Sequence, residues 1–182
     1  SKPPSSSSSK PKNDTPSEYI FQPMQLGKQQ NQGTYENIKE HIIKQIQKTF
    51  KNGQDIAECL RQEDMVQLDA PRRTRAPTTD EDGNAYSADH IKFAQETIDM
   101  QYQALIATYA ERMLVLDQNG PRAYAYIMQQ HCSKTMRHRI EAHKDFESVI
   151  LNDPTELLKA IKVLIHDPVT SKYPFAILTE AV

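Results

Sequence analysis

The sequence from Ala123 to His166 reads AYAYIMQQHCSKTMRHRIEAHKDFESVILNDPTELLKAIKVLIH. It predicts three short helices in succession, because each segment has its own start signal. Pro121 fits the first turn of a helix over Ala123–Gln130. Ser133 fits the N-cap of a second helix over Lys134–His143. Helices delimited this clearly predict a helical core and no sheet.

The third helix has the strongest start signal in the chain. Asp153 fits its N-cap, Pro154 its first position, and Glu156 completes a capping box. Asp167-Pro168 ends it. One arc of this helix is apolar and is predicted to face the core; it contains Leu157, Leu158, Ile161, Leu164 and Ile165.

Two further helices are predicted upstream, followed by a loop. The first has Thr34 as its N-cap and ends at Asn52-Gly53, and a shorter one is capped by Asp55. Lys39 is the exception inside the apolar arc of the first helix. Asp69–Tyr86 contains prolines and charge clusters, which are typical of a long exposed loop.

A long helix is predicted from Ser87 to about Asn119, where Asn119-Gly120-Pro121 forms a strong break. Its apolar stripe contains Ile91, Ala94, Ile98, Tyr102, Leu105, Tyr109, Met113 and Leu116. Leu114 and Val115 point away from the stripe. Together with the apolar tail residues Phe175, Ile177 and Leu178, they are candidates for self-association.

The fold class that follows is all-α: a compact bundle of about six helices with one long central helix. Residues 1–18 are rich in Ser, Pro and Lys and are predicted to be a disordered arm before a helical domain over residues 19–182. Tyr19-Ile20-Phe21 suits either a short strand or an extended segment docked on that domain. The missing initiator Met and the apolar end predict a fragment of a longer protein.

Composition excludes several functional classes. A net charge of −2 argues against a generic nucleic-acid binder, and no apolar run is long enough to span a membrane. Cys59 and Cys132 lie far apart and form no CxxC pair, so reduced thiols in an intracellular protein are expected.

A metal site and a catalytic site are also not expected. The cluster of His131, Cys132, His138 and His143 has poor ligand spacing, because His138 and His143 are five residues apart on different helix faces. Cys132 lacks the setting of a nucleophile and suits a small core residue. The five glycines form no phosphate-binding loop, and we expect no cofactor and no small-molecule substrate.

Two basic clusters are candidate nucleic-acid contacts. Arg72, Arg73 and Arg75 lie in the loop, and Lys134, Arg137 and Arg139 lie on a short helix. Either cluster could contact phosphate by sequence-independent attraction. The alternatives are a solvated loop and an ordinary polar helix face, on which Arg137 and Glu141 would pair at i, i+4.

The order of motifs resembles Gag-like proteins of copia-type LTR retrotransposons. Gln130–Phe146 (QHCSKTMRHRIEAHKDF) resembles a block of that family, and a helix beginning Glu156-Leu157-Leu158 follows it. Upstream, Thr49–Ile56 (TFKNGQDI) resembles the family's turn after its first helix. The residues that match the family's pattern in the core are Cys132, Met136, Ile140, Phe146, Leu157, Leu158 and Ile161.

The resemblance implies a structural protein that is not an enzyme. It implies the N-terminal part of a capsid region that self-associates into cytoplasmic virus-like particles and packages the element's RNA. The family's second helical region and zinc knuckle do not occur in this sequence, so any RNA binding by this chain is expected to be weak and non-specific. The alternative is a helical adaptor that binds RNA or a host protein through a basic face.

Overall fold

The structure is a computed structural model that describes residues 15–24 and 32–166 of the chain. The predicted all-α fold with one long helix is confirmed, and the described residues form no strand. Single turns of 3₁₀-helix and π-helix lie at Ser17–Tyr19 and Phe146–Ile150. The α-helices are α1 Gln32–Thr49, α2 Gly53–Gln62, α3 Ala88–Gln130, α4 Lys134–Glu141 and α5 Pro154–His166.

Helices α1 and α2 form a hairpin with a very close crossing. Gly53 is buried at the start of α2, and a Cβ at this position would lie 2.5 Å from the carbonyl oxygen of Ile46. Asn52 adopts the left-handed conformation and precedes α2 as its N-cap. The positions of these residues in the helices therefore differ from the predicted ones. Gly53 begins α2, and Asp55 lies in the first turn of that helix. Thr34 lies inside α1 instead of capping it.

The predicted break at Gly120-Pro121 is wrong, because α3 runs through it as one helix of 43 residues. Proline lacks the N–H that would bond the carbonyl four residues back, and in a helix interior it costs roughly 3 kcal/mol. Tertiary packing offsets that cost. Directly after the proline, Ala123, Tyr124, Ile127 and Met128 are all buried.

The caps of the C-terminal helices are largely as predicted. Ser133 Oγ accepts a hydrogen bond from the Met136 amide at 3.1 Å, although α4 ends two residues earlier than predicted. Asp153 Oδ1 accepts hydrogen bonds from the Thr155 and Glu156 amides. The return bond of a capping box is not formed, because the Asp153 amide donates to Ile150 and the Glu156 carboxylate pairs with Lys159.

The core lies between the α1–α2 hairpin, the second half of α3, and α4 and α5. Of the two predicted alternatives for Tyr19-Ile20-Phe21, the docked extended segment is correct for Phe21. This residue is fully buried, and its backbone bonds to His131 and Ser133. Most of the predicted arm lies outside the described residues, but Ser17 and Glu18, at its end, belong to the 3₁₀ turn.

Candidate functional site

The N-terminal part of α3, from Ala88 to Leu114, contains no buried residue; the first buried position is Val115. Ser87 caps this helix, since its hydroxyl accepts a hydrogen bond from the His90 amide at 3.2 Å. At 1.5 Å per residue, this part is roughly 40 Å long. A long helix segment that is not covered by its own domain is a candidate surface for contact with another molecule.

The loop before α3 lies along one side of this segment, which we call the inner face. Gln95 accepts a hydrogen bond from the Ala76 amide at 2.9 Å and donates one to the Thr74 carbonyl at 3.3 Å. Arg73 makes two hydrogen bonds to Asp99, of 2.7 and 2.8 Å. These bonds, with one from Gln95, lower the pKa of Asp99 to about 2. The loop is therefore exposed, as predicted, but fixed to the helix.

The acidic end of the loop is a tight turn around Asp80. Its carboxylate accepts hydrogen bonds from the amides of Asp82 and Asn84 and from the Asn84 side chain. These bonds lower its pKa. Gly83 completes the turn with a φ of 86°, a conformation that favours glycine. The Asp80 carboxylate thus stabilises its own turn.

The arginines predicted to contact nucleic acid differ in their availability. Arg73 is held by Asp99, and this partner also raises its pKa. Arg72 and Arg75 are exposed and form no ion pair with another described residue. Only these two could reach a phosphate without breaking an existing pair.

The second basic cluster lies on α4. Lys134 and Arg139 are exposed, whereas Arg137 is half-buried close to Cys132. The predicted i, i+4 pair between Arg137 and Glu141 is not formed. The ammonium and guanidinium groups of α4 are thus free of salt bridges within the part of the chain described by the structure.

The two basic clusters are not brought together. Arg73 is anchored at Asp99, and α4 begins just after the end of α3 at Gln130. Thirty-one residues of helix separate these points, which corresponds to roughly 45 Å along the axis. A single continuous basic groove that includes both clusters is therefore not present.

The residues predicted for self-association also differ in their exposure. Leu114 is 58% exposed, but Val115 is only 6% exposed and lies in the core, so it is not available to a second copy. Phe175, Ile177 and Leu178 lie outside the described residues. The exposure of Phe93 and Met100, which are 72% and 75% exposed, was not predicted from the sequence. The signal that could have found them is their own seven-residue spacing, which Leu114 continues.

A second apolar surface is a shallow groove of about 290 Å³ between the π-helical turn and α5. Val149 and Val163 on its walls are 46% and 56% exposed. The groove is lined mostly by carbon atoms, with His143, Asp145, Glu156 and Lys159 at its edges. It therefore suits an apolar side chain better than a polar substrate.

The residues that carry the family resemblance form core, not surface. Six of the seven are buried, and Phe146 is half-buried against the same core. Burial raises the pKa of the Cys132 thiol to about 12, so the thiol is protonated at neutral pH. These positions determine packing and offer no reactive group.

The side chains of the histidines near Cys132 also do not point to a common site. His131 is 1% exposed, and its Nδ1 lies 2.9 Å from the Tyr19 carbonyl oxygen. His138 and His143 are exposed on and after α4. Within residues 15–24 and 32–166, no group of three metal-ligating side chains comes together.

One buried polar cluster links α1, α2 and α5. Glu63 accepts hydrogen bonds from Tyr35 at 2.8 Å and from Lys39 at 2.9 Å, and Tyr35 also donates to the Leu158 carbonyl. Burial alone would raise the pKa of Glu63, but the hydrogen bonds from Lys39 and Tyr35 and the positive charges of Lys39 and Lys162 outweigh it and lower the pKa. Lys39, the exception in the predicted arc, is therefore a buried structural cation.

No family model, no curated protein and no solved structure matches this chain. None of the helices in the described part is both long and apolar enough to cross a membrane. The surfaces of the molecule and the motif resemblance are therefore what supports a functional proposal.

Proposed function

We propose that this chain is a structural self-assembly module, the N-terminal capsid-like domain of a Gag-like protein from a copia-type retrotransposon. In this proposal, copies of the chain associate into cytoplasmic virus-like particles that package the element's RNA. The order of the motifs around Thr49–Ile56 and Gln130–Phe146 supports the family assignment. The described surfaces support the self-association.

The observation that carries the proposal is the exposed part of α3. It has apolar side chains on two sides, but the chain's own loop covers only the part of the inner face around Gln95 and Asp99. Phe93, Met100 and Leu114 remain more than half exposed on the other sides. Large apolar side chains exposed in a row along one helix are typical of interaction sites in soluble proteins.

A lattice of many copies needs contacts that are individually weak. Several small interfaces per subunit allow assembly and release, whereas a stable pairwise complex buries about 800 Å² per partner. The helix α3 and the groove beside α5 are two separate surfaces of modest size. Two distinct contact surfaces per copy are the minimum for an extended assembly.

Sedimentation velocity of the purified 182-residue chain over a range of protein and salt concentrations tests the proposal, with electron microscopy of the same samples. We expect dimers and larger species whose proportion rises with concentration. A strict monomer at every concentration and salt level would overturn the proposal.

A helical adaptor that binds RNA is the second candidate function. The observation that favours it is the exposure of Lys134 and Arg139 on α4 without salt bridges to described residues. Substituting Lys134, Arg137 and Arg139 by Ala should then abolish RNA binding. The Arg72/Arg75→Ala variant, which leaves the Arg73–Asp99 pair intact, tests the loop separately.

Titration of single-stranded RNA at several salt concentrations measures both variants. Each phosphate contact that is lost should reduce the slope of log K against log salt by about 0.7. An affinity that neither variant changes would exclude both basic clusters, and no affinity in the wild type would exclude RNA.

A further inference from the structure

Helix α3 carries a second apolar row opposite its inner face. Phe93, Met100, Ala107 and Leu114 are spaced seven residues apart, and all four are exposed. Residues seven apart share one face of a helix, with a drift of only about 20° per repeat. We call these four residues the outer row. Thr97, Ala104 and Glu111 alternate with them, giving the four-three spacing of a coiled-coil seam.

The middle of the outer row is almost free of charge. From Thr97 to Ala110 the only charged residue is Asp99, and Arg73 holds it on the inner side. The small residues Ala104 and Ala107 lie at the centre of the row, which permits close approach of another helix. An uncharged seam with a small-residue centre suits a helix as its partner.

We propose that the outer row pairs with the outer row of a second copy, with the two α3 helices antiparallel around a two-fold axis near Gln103 and Ala104. This inference rests on the proposed self-assembly function and specifies one of its contacts. It is an isologous contact, in which the same surface of each copy meets the other.

The sizes of the side chains favour the antiparallel orientation. It places Phe93 beside Leu114 of the second copy and Met100 beside that copy's Ala104 and Ala107. Large residues then meet medium or small ones along the whole row, so the two helices stay evenly spaced. A parallel pair would instead stack Phe93 on Phe93 and Met100 on Met100, and alanines on alanines, which forces the helices apart at one end.

In either orientation, carboxylates from the two copies meet at the ends of the row. A parallel pair would put Glu111 directly opposite Glu111 of the second copy. In the antiparallel pair Glu111 faces the second copy's Glu96, and Lys51 is available to bridge them. The Lys51 ammonium already lies 2.7 Å from Glu111 and is 65% exposed.

The size of the row makes this a weak contact. From Phe93 to Leu114 the helix extends roughly 32 Å, and a helix is roughly 10 Å wide. The footprint is thus on the order of 300 Å² per copy, well below the ~800 Å² of a stable dimer. We therefore expect reversible pairing that is detected at high concentration, as in a lattice contact.

Cross-linking of engineered cysteines through a short bismaleimide tests the orientation. The native Cys59 and Cys132 are both buried, so introduced thiols on the row react selectively. Ala104→Cys should cross-link to itself. A mixture of Phe93→Cys and Leu114→Cys chains should cross-link, whereas Phe93→Cys alone should not. Cross-linking of Phe93→Cys alone, without the mixed product, would overturn the antiparallel pair.

The reaction of Met100→Cys with a monofunctional maleimide shows whether something other than a second copy covers the outer row. A covered thiol is protected and reacts slowly. In the pair, protection should increase with protein concentration. Protection that is complete in a dilute monomer would show that another part of the same chain covers the row. That result would overturn the inference.

A charge substitution separates this inference from the proposed function. Met100→Glu should weaken dimer formation by about tenfold or more, since it buries a charge in the seam. Leu151→Glu is the matched control, because Leu151 is 43% exposed and lies outside both the row and the groove beside α5. Oligomers that persist in Met100→Glu would overturn the outer-row pair while leaving self-assembly intact. A wild type that never associates would overturn both.

Discussion

The side-chain amide of Asn119 donates a hydrogen bond to the backbone carbonyl of Lys51 at a distance of 2.8 Å. Asn119 is 1% exposed and lies on α3, and Lys51 lies in the turn between α1 and α2. The bond therefore joins the hairpin to the long helix one residue before Gly120-Pro121. It supplies a tertiary anchor at the point where the local sequence favours a break.

Replacing Asn119 by Ala should lower the free energy of unfolding by about 1–3 kcal/mol, because the Lys51 carbonyl loses its partner in a partly buried setting. Urea denaturation followed by far-UV circular dichroism measures the change. Gln118→Ala is the control, since Gln118 is exposed on the same turn of the helix. Equal stability of the two variants would contradict the anchoring role.

The features that the sequence predicted correctly are those with local causes. The caps of Ser133 and Asp153 each involve amides two or three residues away, so the pattern and the bond are in the same few residues. The apolar arc of α5 likewise predicted its buried face, including Leu157 and Ile161. Local hydrogen bonds and helical periodicity can be predicted from the sequence without knowledge of the fold.

The features that were missed depend on distant residues. Helix α3 continues through Pro121 because burial further along and the Asn119 anchor outweigh a local preference. Arg73 was predicted to contact nucleic acid or to belong to a solvated loop, but it pairs with Asp99, which lies 26 residues away. The apolar pattern of α3 showed a stripe, but which side the loop covers depends on tertiary contacts such as that of Gln95 with Ala76.

The close crossing at Gly53 predicts a strong effect of one methyl group. Gly53→Ala would place its Cβ 2.5 Å from the Ile46 carbonyl oxygen and 3.0 Å from backbone atoms of Gln47. Since backbone atoms cannot move aside cheaply, the variant should lose about 1–3 kcal/mol of stability. Thermal unfolding measured by calorimetry would detect this as a lower midpoint.

Gly120→Ala is the matched control for that substitution. A Cβ at Gly120 would meet only the end of the Met65 side chain, at 3.8 Å, which is ordinary van der Waals contact. Alanine also has the higher helix propensity, so we expect a gain of roughly 0.5–1 kcal/mol. A loss in Gly120→Ala as large as in Gly53→Ala would show that neither effect arises from the crossing.

Glu63 holds two buried groups and should be important for stability. Glu63→Gln removes the counter-charge of Lys39, whose side chain is only 10% exposed. We expect a loss of about 1–3 kcal/mol at neutral pH. Glu58→Gln is the control, because Glu58 forms a half-exposed pair with Arg61 within one helix that should contribute at most about 0.5 kcal/mol.

The difference between wild type and Glu63→Gln should also depend on pH. The pKa of Glu63 is lowered in the folded state from its ordinary value of 4.5, so the unfolded state binds the proton more readily. The stabilisation is therefore complete above about pH 4.5 and is lost as the pH falls through the lower folded pKa. Urea denaturation across this range should show the two proteins converge in acid; a constant difference would contradict the assignment.

His131 has one satisfied ring nitrogen and one unsatisfied one. Its Nδ1 lies 2.9 Å from the Tyr19 carbonyl oxygen, which makes it the donor, whereas the buried Nε2 has no partner among the described residues. The rings of His41 and Tyr126 pack against it. Burial, together with His41, lowers the pKa of His131, although the Tyr19 carbonyl opposes the shift. The folded state thus favours the neutral ring.

Acid should consequently destabilise the fold through His131. The pKa in the unfolded state is about 6.5, so below that pH the unfolded chain binds a proton that the folded chain resists. The stability of the fold is full above about pH 6.5 and falls until the pH reaches the lower pKa of His131 in the folded state.

The variant His131→Asn tests this dependence, because it keeps a donor for the Tyr19 carbonyl but cannot titrate. Its free energy of unfolding, measured by urea denaturation from about pH 8 to about pH 5, should fall less than that of the wild type. His138→Asn, at an exposed position on α4, should follow the wild type; if His131→Asn follows it too, His131 is not the group that responds to acid.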